Sequence, residues 1–181
     1  MDGHLLVRGV MLSIRRRWGE DVMKEIARLY WISSASVYVE RIRRALNIQG
    51  NDMGAILKTL QVDPSFPHDY VEFGCALVDE KRGYFWINDC AMLSDEEPRG
   101  WLTLLSDDDS PGFDAVVTAV NPKARCRPAD PAGLESGSVK PVCAWEIVID
   151  DDAEPRVYPE VVEPLLSEEL RNFPFTSASS E

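Results

Sequence analysis

The longest regular pattern in the sequence lies in residues 20–48, EDVMKEIARLYWISSASVYVERIRRALNI. Apolar or small residues recur there at steps of three and four, which is the spacing of one face of an α-helix. They are Val22, Ile26, Leu29, Ile32 or Ser33, Ser36, Val39, Ile42 and Leu46. Acidic residues begin the pattern and arginines end it, as the helix dipole favours. The sequence therefore predicts a long helix, whose small residues at 33–36 allow another helix or a ligand to approach closely.

Two shorter helices are predicted on either side of this one. Residues 4–17 carry apolar side chains close to a period of 3.6, and Gly19 follows as a break. Residues 51–62, NDMGAILKTLQV, form a third helix that Asn51 can cap and that Pro64 ends. The first third of the chain is therefore expected to be helical.

The pattern changes from helical to alternating after residue 67. Residues 68–93, HDYVEFGCALVDEKRGYFWINDCAML, predict a β-hairpin with its turn at residues 79–83. The β-branched run FDAVVTAVN at 113–121 predicts a third strand. Residues 122–141, rich in Pro and Gly, predict an irregular loop. VCAWEIVID at 142–150 predicts a fourth strand, with Cys143, Trp145, Ile147 and Ile149 on one face.

Helices followed by strands are typical of the α+β class. We expect N-terminal helices packed on a mostly antiparallel sheet of about four strands. A chain of 181 residues is long enough for one core and short for two. A single domain is therefore predicted over residues 1–175, with a helical layer at 4–62, a sheet layer at 68–150, a C-terminal helix at 159–173 and a disordered tail at 176–181.

The net charge of −12 is unevenly distributed. Residues 1–48 hold nine Lys and Arg against five Asp and Glu, which is +4, and the remainder holds ten against twenty-six, which is −16. An acidic body repels phosphate, so nucleic acid is not an expected partner. No run of about 18 apolar residues exists to span a membrane. The N-terminus carries its arginine cluster after the apolar stretch, unlike a secretory signal, so a cytoplasmic protein with reduced cysteines is predicted.

The four cysteines are Cys75, Cys90, Cys126 and Cys143, and no two form a C-x-x-C pair. Cys75 is predicted to be a small core residue of a strand. The other three stand at the end of the hairpin, at the start of the irregular loop and at its exit. They would meet if the third and fourth strands paired antiparallel, and three thiolates with one oxygen ligand would suit zinc. Zinc is the only cofactor that this sequence suggests.

A catalytic cysteine is an alternative use of the same residues. Arg125 and Arg127 flank Cys126, and neighbouring cations lower the pKa of a thiol. A hydrolase would then use Cys126 or Cys143 as the nucleophile, with His68 or Asp89 as the base. The sequence contains no P-loop, G-x-G-x-x-G or G-x-S-x-G motif, which argues against the familiar nucleotide enzymes and serine hydrolases.

Large aromatic side chains are numerous for a chain of this length. They fill a core by default, but they also line pockets for hydrophobic or aromatic molecules. The candidates for such a pocket are Tyr30, Tyr38, Trp86, Trp101 and Trp145.

Four short motifs, in chain order, resemble a bacterial family. They are ERIRRALNI at 40–48, the hairpin end Asn88-Asp89-Cys90, VNPKARC at 120–126 and CAWEI at 143–147. Over about residues 10–150 the chain resembles the L-2-amino-thiazoline-4-carboxylic acid hydrolase-like proteins and, more remotely, the ligand-binding domains named after 4-vinyl reductase. The resemblance implies helices on an antiparallel sheet around a small-molecule pocket, with cysteines near it that bind zinc in some members. The matching positions are Cys90, Cys126 and Cys143.

The sequence is therefore consistent with three functions. The first is a domain that handles a small hydrophobic or aromatic molecule in a pocket between helices and sheet. The second is a hydrolase with a cysteine nucleophile. The third is a non-catalytic subunit whose basic N-terminal helices dock onto an acidic protein surface, and the same helices could join copies of the chain into a homo-oligomer.

Overall fold

A computed structural model describes residues 2–64, 71–90, 111–132, 134 and 141–156 of the protein. Its helices are α1 (Asp2–Trp18), α2 (Glu20–Ala45), α3 (Met53–Gln61) and α4 (Pro111–Val120). Its strands are β1 (Val71–Leu77), β2 (Arg82–Cys90), β3 (Ala124–Ala129) and β4 (Cys143–Ile149). The predicted α+β class is confirmed. The predicted C-terminal helix at 159–173 and the tail at 176–181 lie outside the described residues.

The three N-terminal helices lie close to their predicted positions. Gly19 separates α1 from α2 with a φ of +91°, a backbone conformation that glycine adopts readily and other residues rarely do. Helix α3 is capped by Asp52 and not by Asn51, because the Asp52 carboxylate accepts a hydrogen bond of 2.8 Å from the backbone N–H of Ala55. Among the described residues, no helix has the length and apolar character needed to cross a membrane.

The four strands form one sheet in the order β1-β2-β4-β3, and every neighbouring pair is antiparallel. The predicted hairpin is confirmed as β1 and β2. Strands β2 and β3 are both antiparallel to β4, so they run in the same direction with α4 between them in the chain. This is a split β-α-β arrangement, in which β4 is inserted last between two earlier strands. The sheet therefore has β3 at an edge and β4 in its interior.

Two predicted elements were wrong. The run at 113–121 belongs to helix α4, not to a strand, and the predicted loop at 122–141 contains strand β3. Six residues of α4 from Phe113 to Thr118 are all buried, and a helix buried on all sides shows the same continuous apolar run as a buried strand. Strand β3 contains Pro128, which an edge strand tolerates because one side of its backbone needs no partner.

The core lies between the sheet and the helices. Phe113 of α4 packs on the inner face of the sheet, 4.4 Å from the Trp145 ring and 4.9 Å from the Phe85 ring, measured between centroids. Helix α3 also contacts β1 and β2, α2 packs on α4, and α1 packs on α2. The predicted faces of β4 are confirmed, since Trp145, Ile147 and Ile149 are buried on the inner face. Helices α3 and α4 therefore lie directly on the sheet, and α2, with α1 packed on it, lies beyond them.

Candidate functional site

Cys126 is a core residue of β3. Its side chain is buried on the inner face of the sheet, where it shares a register position with Ile147. Burial raises the pKa of its thiol far above the ordinary value of 9.0. Successive strand residues point to opposite faces, so Arg125 and Arg127 are directed away from this thiol. The expectation that these arginines lower the pKa of Cys126 is therefore wrong, and the thiol is poorly suited to act as a nucleophile.

The strand register separates Cys126 from Cys143. Cys143 is half-buried on the same inner face, but it pairs with Ile87 and lies four positions along β4 from Ile147. Four strand residues span about 13 Å, whereas cysteine sulfurs that share a zinc ion lie about 4 Å apart. This spacing leaves Cys126 outside any site that Cys143 could form.

The remaining metal and catalytic candidates are only partly described. Cys90 ends β2 opposite Val71, and Asp89 lies opposite Glu72, but the side chains of both lie outside the described part of the molecule. His68 lies outside it altogether. Among the described residues, no three or more His, Cys, Asp or Glu side chains lie close enough together to hold a metal ion. Cys75 is half-buried, and Gln61 Nε2 donates a hydrogen bond of 3.0 Å to its sulfur.

The predicted aromatic pocket residues occupy four different environments. Trp145 is buried in the core against Phe113, and Trp86 lies on the opposite face of the sheet. Tyr38 of α2 is half-buried and donates a hydrogen bond of 2.9 Å to Asp63 Oδ2. Tyr30 is exposed on α2, and Trp101 lies outside the described residues. The four that are described do not line a common cavity.

Trp86 stands out on the outer face of the sheet. Its indole lies directly over Gly74 of β1, where an added Cβ would be 2.5–2.7 Å from the ring. The ring is 7% exposed, and its Nε1 donates no hydrogen bond to any described residue, although a buried indole N–H usually has an acceptor. Beside it in the strand, Tyr84 donates a hydrogen bond of 3.0 Å to Glu146 Oε1, which raises the pKa of Tyr84. The outer face therefore carries the Trp86 ring next to the hydrogen-bonded pair of Tyr84 and Glu146.

Helix α1 presents an exposed apolar surface that the sequence pattern did not identify. Leu6 is 68% exposed and Val10 is 47% exposed. Together with Gly9, Ser13 and Ile14 they line a shallow groove of about 460 Å³ along the helix, which is largely open to solvent. The same helix ends in Arg15, Arg16, Arg17 and Trp18, all exposed. We refer to the groove and this basic end together as the α1 surface.

Helix α2 also carries apolar side chains on two faces. Its inner face is formed by Met23, Ala27, Trp31, Ala35 and Val39, all buried. On another face, Val22, Ile26 and Tyr30 are each between 37% and 41% exposed. An ordinary surface helix has one apolar stripe, so a second stripe is the sequence signal of a second contact surface. Val22 and Ile26, which began the helical pattern in the sequence, belong to the exposed stripe and not to the core.

Comparison with known proteins does not identify a family for this chain. No protein-family model, no curated protein and no solved structure matches the chain.

Proposed function

We propose that this protein is a non-catalytic subunit that acts by binding an acidic protein surface through α1. The exposed groove formed by Leu6, Gly9 and Val10 is the observation that carries the proposal. Exposed apolar patches on a folded domain commonly mark interaction sites. The described cysteines and aromatics on which the other two functions depend lie in separate parts of the fold, whereas the residues that support this one lie together on a single helix.

The groove has the features of a helix-binding site. Gly9 has no atoms within 4 Å of the position that its Cβ would take, so the helix backbone is accessible there. Leu6 and Val10 flank this point and would pack against an apolar helix face of a partner. Trp18 is 62% exposed beside the arginines, and Trp and Arg are the residues most enriched at the energetic centres of protein interfaces.

Charge indicates the chemistry of the partner. Three consecutive arginines end α1, and the first 48 residues carry a net charge of +4. A partner helix with apolar residues on one face and carboxylates beside them would match both parts of the α1 surface. Complementary charges of this kind increase the association rate and select against basic partners.

A labelled synthetic peptide with leucines on one helical face and glutamates on the others tests this proposal. The chain should bind it, and a peptide with lysines in place of the glutamates should bind at least about tenfold more weakly. Replacing Leu6 and Val10 by Asp, or Arg15 and Arg17 by Glu, should each weaken binding about tenfold or more in fluorescence anisotropy titrations.

Leu77 and Val78 provide the matched control for the apolar substitutions. They are 60% and 55% exposed at the hairpin turn, far along the chain from α1. Replacing both by Asp should leave peptide binding unchanged. The proposal is wrong if this control loses binding to the same degree, or if vesicles of anionic lipid bind the chain while the acidic peptide does not.

A small-molecule-handling role is the second candidate, and Trp86 is the observation in its favour. The Trp86 indole N–H has no acceptor among the described residues, so a ligand carbonyl that reached it would satisfy an otherwise unpaired buried donor. A Cβ at position 74 would lie 2.7 Å from Trp86 Nε1, so the absence of a side chain at Gly74 leaves the room that the indole occupies. Binding of a small aromatic ketone should then change tryptophan fluorescence in the wild type and not in Trp86→Phe, and an equal response in both proteins would exclude this site.

A further inference from the structure

We propose that the outer face of the sheet binds a small molecule through a carboxamide group, at a site formed by Trp86 and Asn88 of β2. This inference names the ligand class for the small-molecule role of Trp86, so it rests on that role and not on the α1 surface. A second polar atom, the side-chain oxygen of Asn88, is what specifies the ligand.

Two buried polar atoms of opposite kind lie close together on this face. Among the described residues, the Trp86 indole N–H has no acceptor, and Asn88 Oδ1 accepts from no donor. Both atoms are shielded from solvent, and the Trp86 side chain as a whole is 7% exposed. A buried polar group without a partner destabilises the folded state, and native proteins contain few of them. A donor and an acceptor two residues apart on one strand therefore indicate a ligand that satisfies both.

The two side chains lean in the same direction, toward β1. The Trp86 ring lies over Gly74, with Nε1 2.7 Å from the position that a Cβ there would take. Asn88 Nδ2 donates a hydrogen bond of 3.2 Å to Glu72 Oε1, and Glu72 lies two residues before Gly74 on the same face of β1. The donor and the acceptor therefore lie over neighbouring positions of one strand, within reach of a single small group.

A shift in strand register places Asn88 in this position. Glu72 pairs with Asp89 and Phe73 pairs with Ile87, so Asn88 is an extra residue of β2 with no register partner on β1. An extra residue of this kind changes the direction of its side chain, and such bulges are frequent beside functional sites. The hydrogen bond to Glu72 shows that the Asn88 amide is directed to the outer face.

Glu72 determines which end of the Asn88 amide remains for a ligand. An ionised carboxylate only accepts hydrogen bonds, so Asn88 directs its NH₂ group toward Glu72. The amide oxygen is the other end. The site thus offers one donor, from Trp86, and one acceptor, from Asn88.

A carboxamide carries the complementary pair of groups. Its carbonyl oxygen accepts from Trp86 Nε1, while its N–H donates to Asn88 Oδ1. A ketone satisfies the Trp86 donor alone. A carboxylate only accepts, so it would face the Asn88 oxygen without a proton and would be repelled by Glu72. Because both protein atoms are shielded from solvent in the free protein, the ligand reaches them only when the outer face opens.

Two matched ligands test the proposal on the unaltered chain. Benzamide and acetophenone are similar in shape, and benzamide has an NH₂ group where acetophenone has a methyl group. Benzamide should bind at least about tenfold more tightly, since acetophenone leaves the Asn88 oxygen buried and unpaired. Isothermal titration calorimetry measures both affinities without depending on tryptophan fluorescence.

Three variants assign the preference to particular residues. Asn88→Leu removes the acceptor at similar volume, so the two ligands should bind it equally. Trp86→Phe removes the donor that both ligands use and should weaken both by about fivefold or more. Tyr84→Phe is the matched control, because it removes a hydroxyl from the same strand that is bonded to Glu146, and it should keep the wild-type preference.

The outcomes separate the ligand class from the small-molecule role. Equal binding of the two ligands to the wild type, or a preference that persists in Asn88→Leu, would overturn the carboxamide assignment and leave a ketone-binding Trp86 in place. Binding of neither ligand at concentrations up to about 10 mM would contradict both. Circular dichroism checks the fold of each variant. If Trp86→Phe is unfolded, the comparison of the wild type with Asn88→Leu decides the question.

Discussion

At the scale of single residues, the neighbours of a side chain in the sequence do not determine its environment in the structure. Cys126 has two arginine neighbours in sequence, which is the pattern of an activated thiol, yet strand alternation directs both guanidinium groups to the other face of the sheet. The register with Ile147 then places the sulfur in the core. The cysteine content of the protein was visible in the sequence, but the environment of each thiol depends on strand pairing.

Cys126 should therefore be protected in the folded protein. Because burial raises the pKa of its thiol, we expect alkylation by iodoacetamide at pH 7.5 to be roughly a hundredfold slower than in the urea-unfolded chain. Peptide mass spectrometry after timed labelling measures this rate. Labelling of Cys126 in the folded protein at the rate of the unfolded chain would contradict its place in the core.

The same thiol links stability to alkaline pH. The folded state retains the Cys126 proton at pH values where the unfolded chain, with a thiol pKa near 9.0, releases it. Unfolding is therefore increasingly favoured as the pH rises above about 9. Urea denaturation between pH 8 and 10.5 should show a smaller loss of stability in Cys126→Ala than in the wild type, and parallel curves would contradict this linkage.

At the scale of elements, the two strands of the hairpin are held in close contact where Trp86 packs on Gly74. The Trp86 ring on β2 occupies the space above Gly74 on β1, so a side chain there must displace a large aromatic. The alternation in the sequence predicted which residues share a face, but it did not show that a glycine and a tryptophan form one unit across the pair.

Gly74→Ala should lower the free energy of unfolding by about 1–3 kcal/mol, because the new methyl group overlaps the indole and the strands must shift. Gly9→Ala is the matched control. Nothing lies within 4 Å of its Cβ position in α1, so this substitution should stabilise the helix by about 0.5–1 kcal/mol. Urea titrations measure both, and a neutral Gly74→Ala would show that Trp86 is free to move.

Helix α4 is the helix that the sequence pattern did not predict. Most of its residues are apolar, and its two polar side chains, Asp114 and Thr118, are themselves buried between α2 and the sheet, so no exposed polar face reveals a period of 3.6. By contrast, α1, α2 and α3 keep a polar or exposed side, and all three were predicted close to their observed positions. Amphipathic elements are readable from sequence because water faces one side of them.

At the scale of the whole molecule, one buried carboxylate connects three distant parts of the chain. Asp114 of α4 accepts a hydrogen bond of 2.9 Å from the backbone N–H of Cys126 in β3. It also forms an ion pair with Arg156, which follows β4. Its side chain is 8% exposed, so this network joins the helical layer to the edge of the sheet.

Asp114→Ala should destabilise the protein by about 2 kcal/mol, since it removes the buried carboxylate that accepts from the Cys126 N–H and pairs with Arg156. Asp114→Asn keeps an acceptor for the Cys126 N–H and should cost about half as much. Asp151→Ala breaks the exposed ion pair with Lys81 and serves as the control, with little expected change in the urea midpoint. Equal effects of the alanine substitutions at 114 and 151 would contradict a structural role for the buried network.

The sequence by itself determined the α+β class, the three N-terminal helices, the hairpin and the two faces of β4. These features depend on local periodicity and on burial against a single neighbour. Only the tertiary structure decided that 111–120 is a helix, that β3 is an edge strand, and that Cys126 and Cys143 lie far apart. It also decided which stripe of α2 faces the core. The physical reason is common to all of these: strand register and the packing of two apolar faces depend on contacts between residues distant in sequence, which a local pattern does not contain.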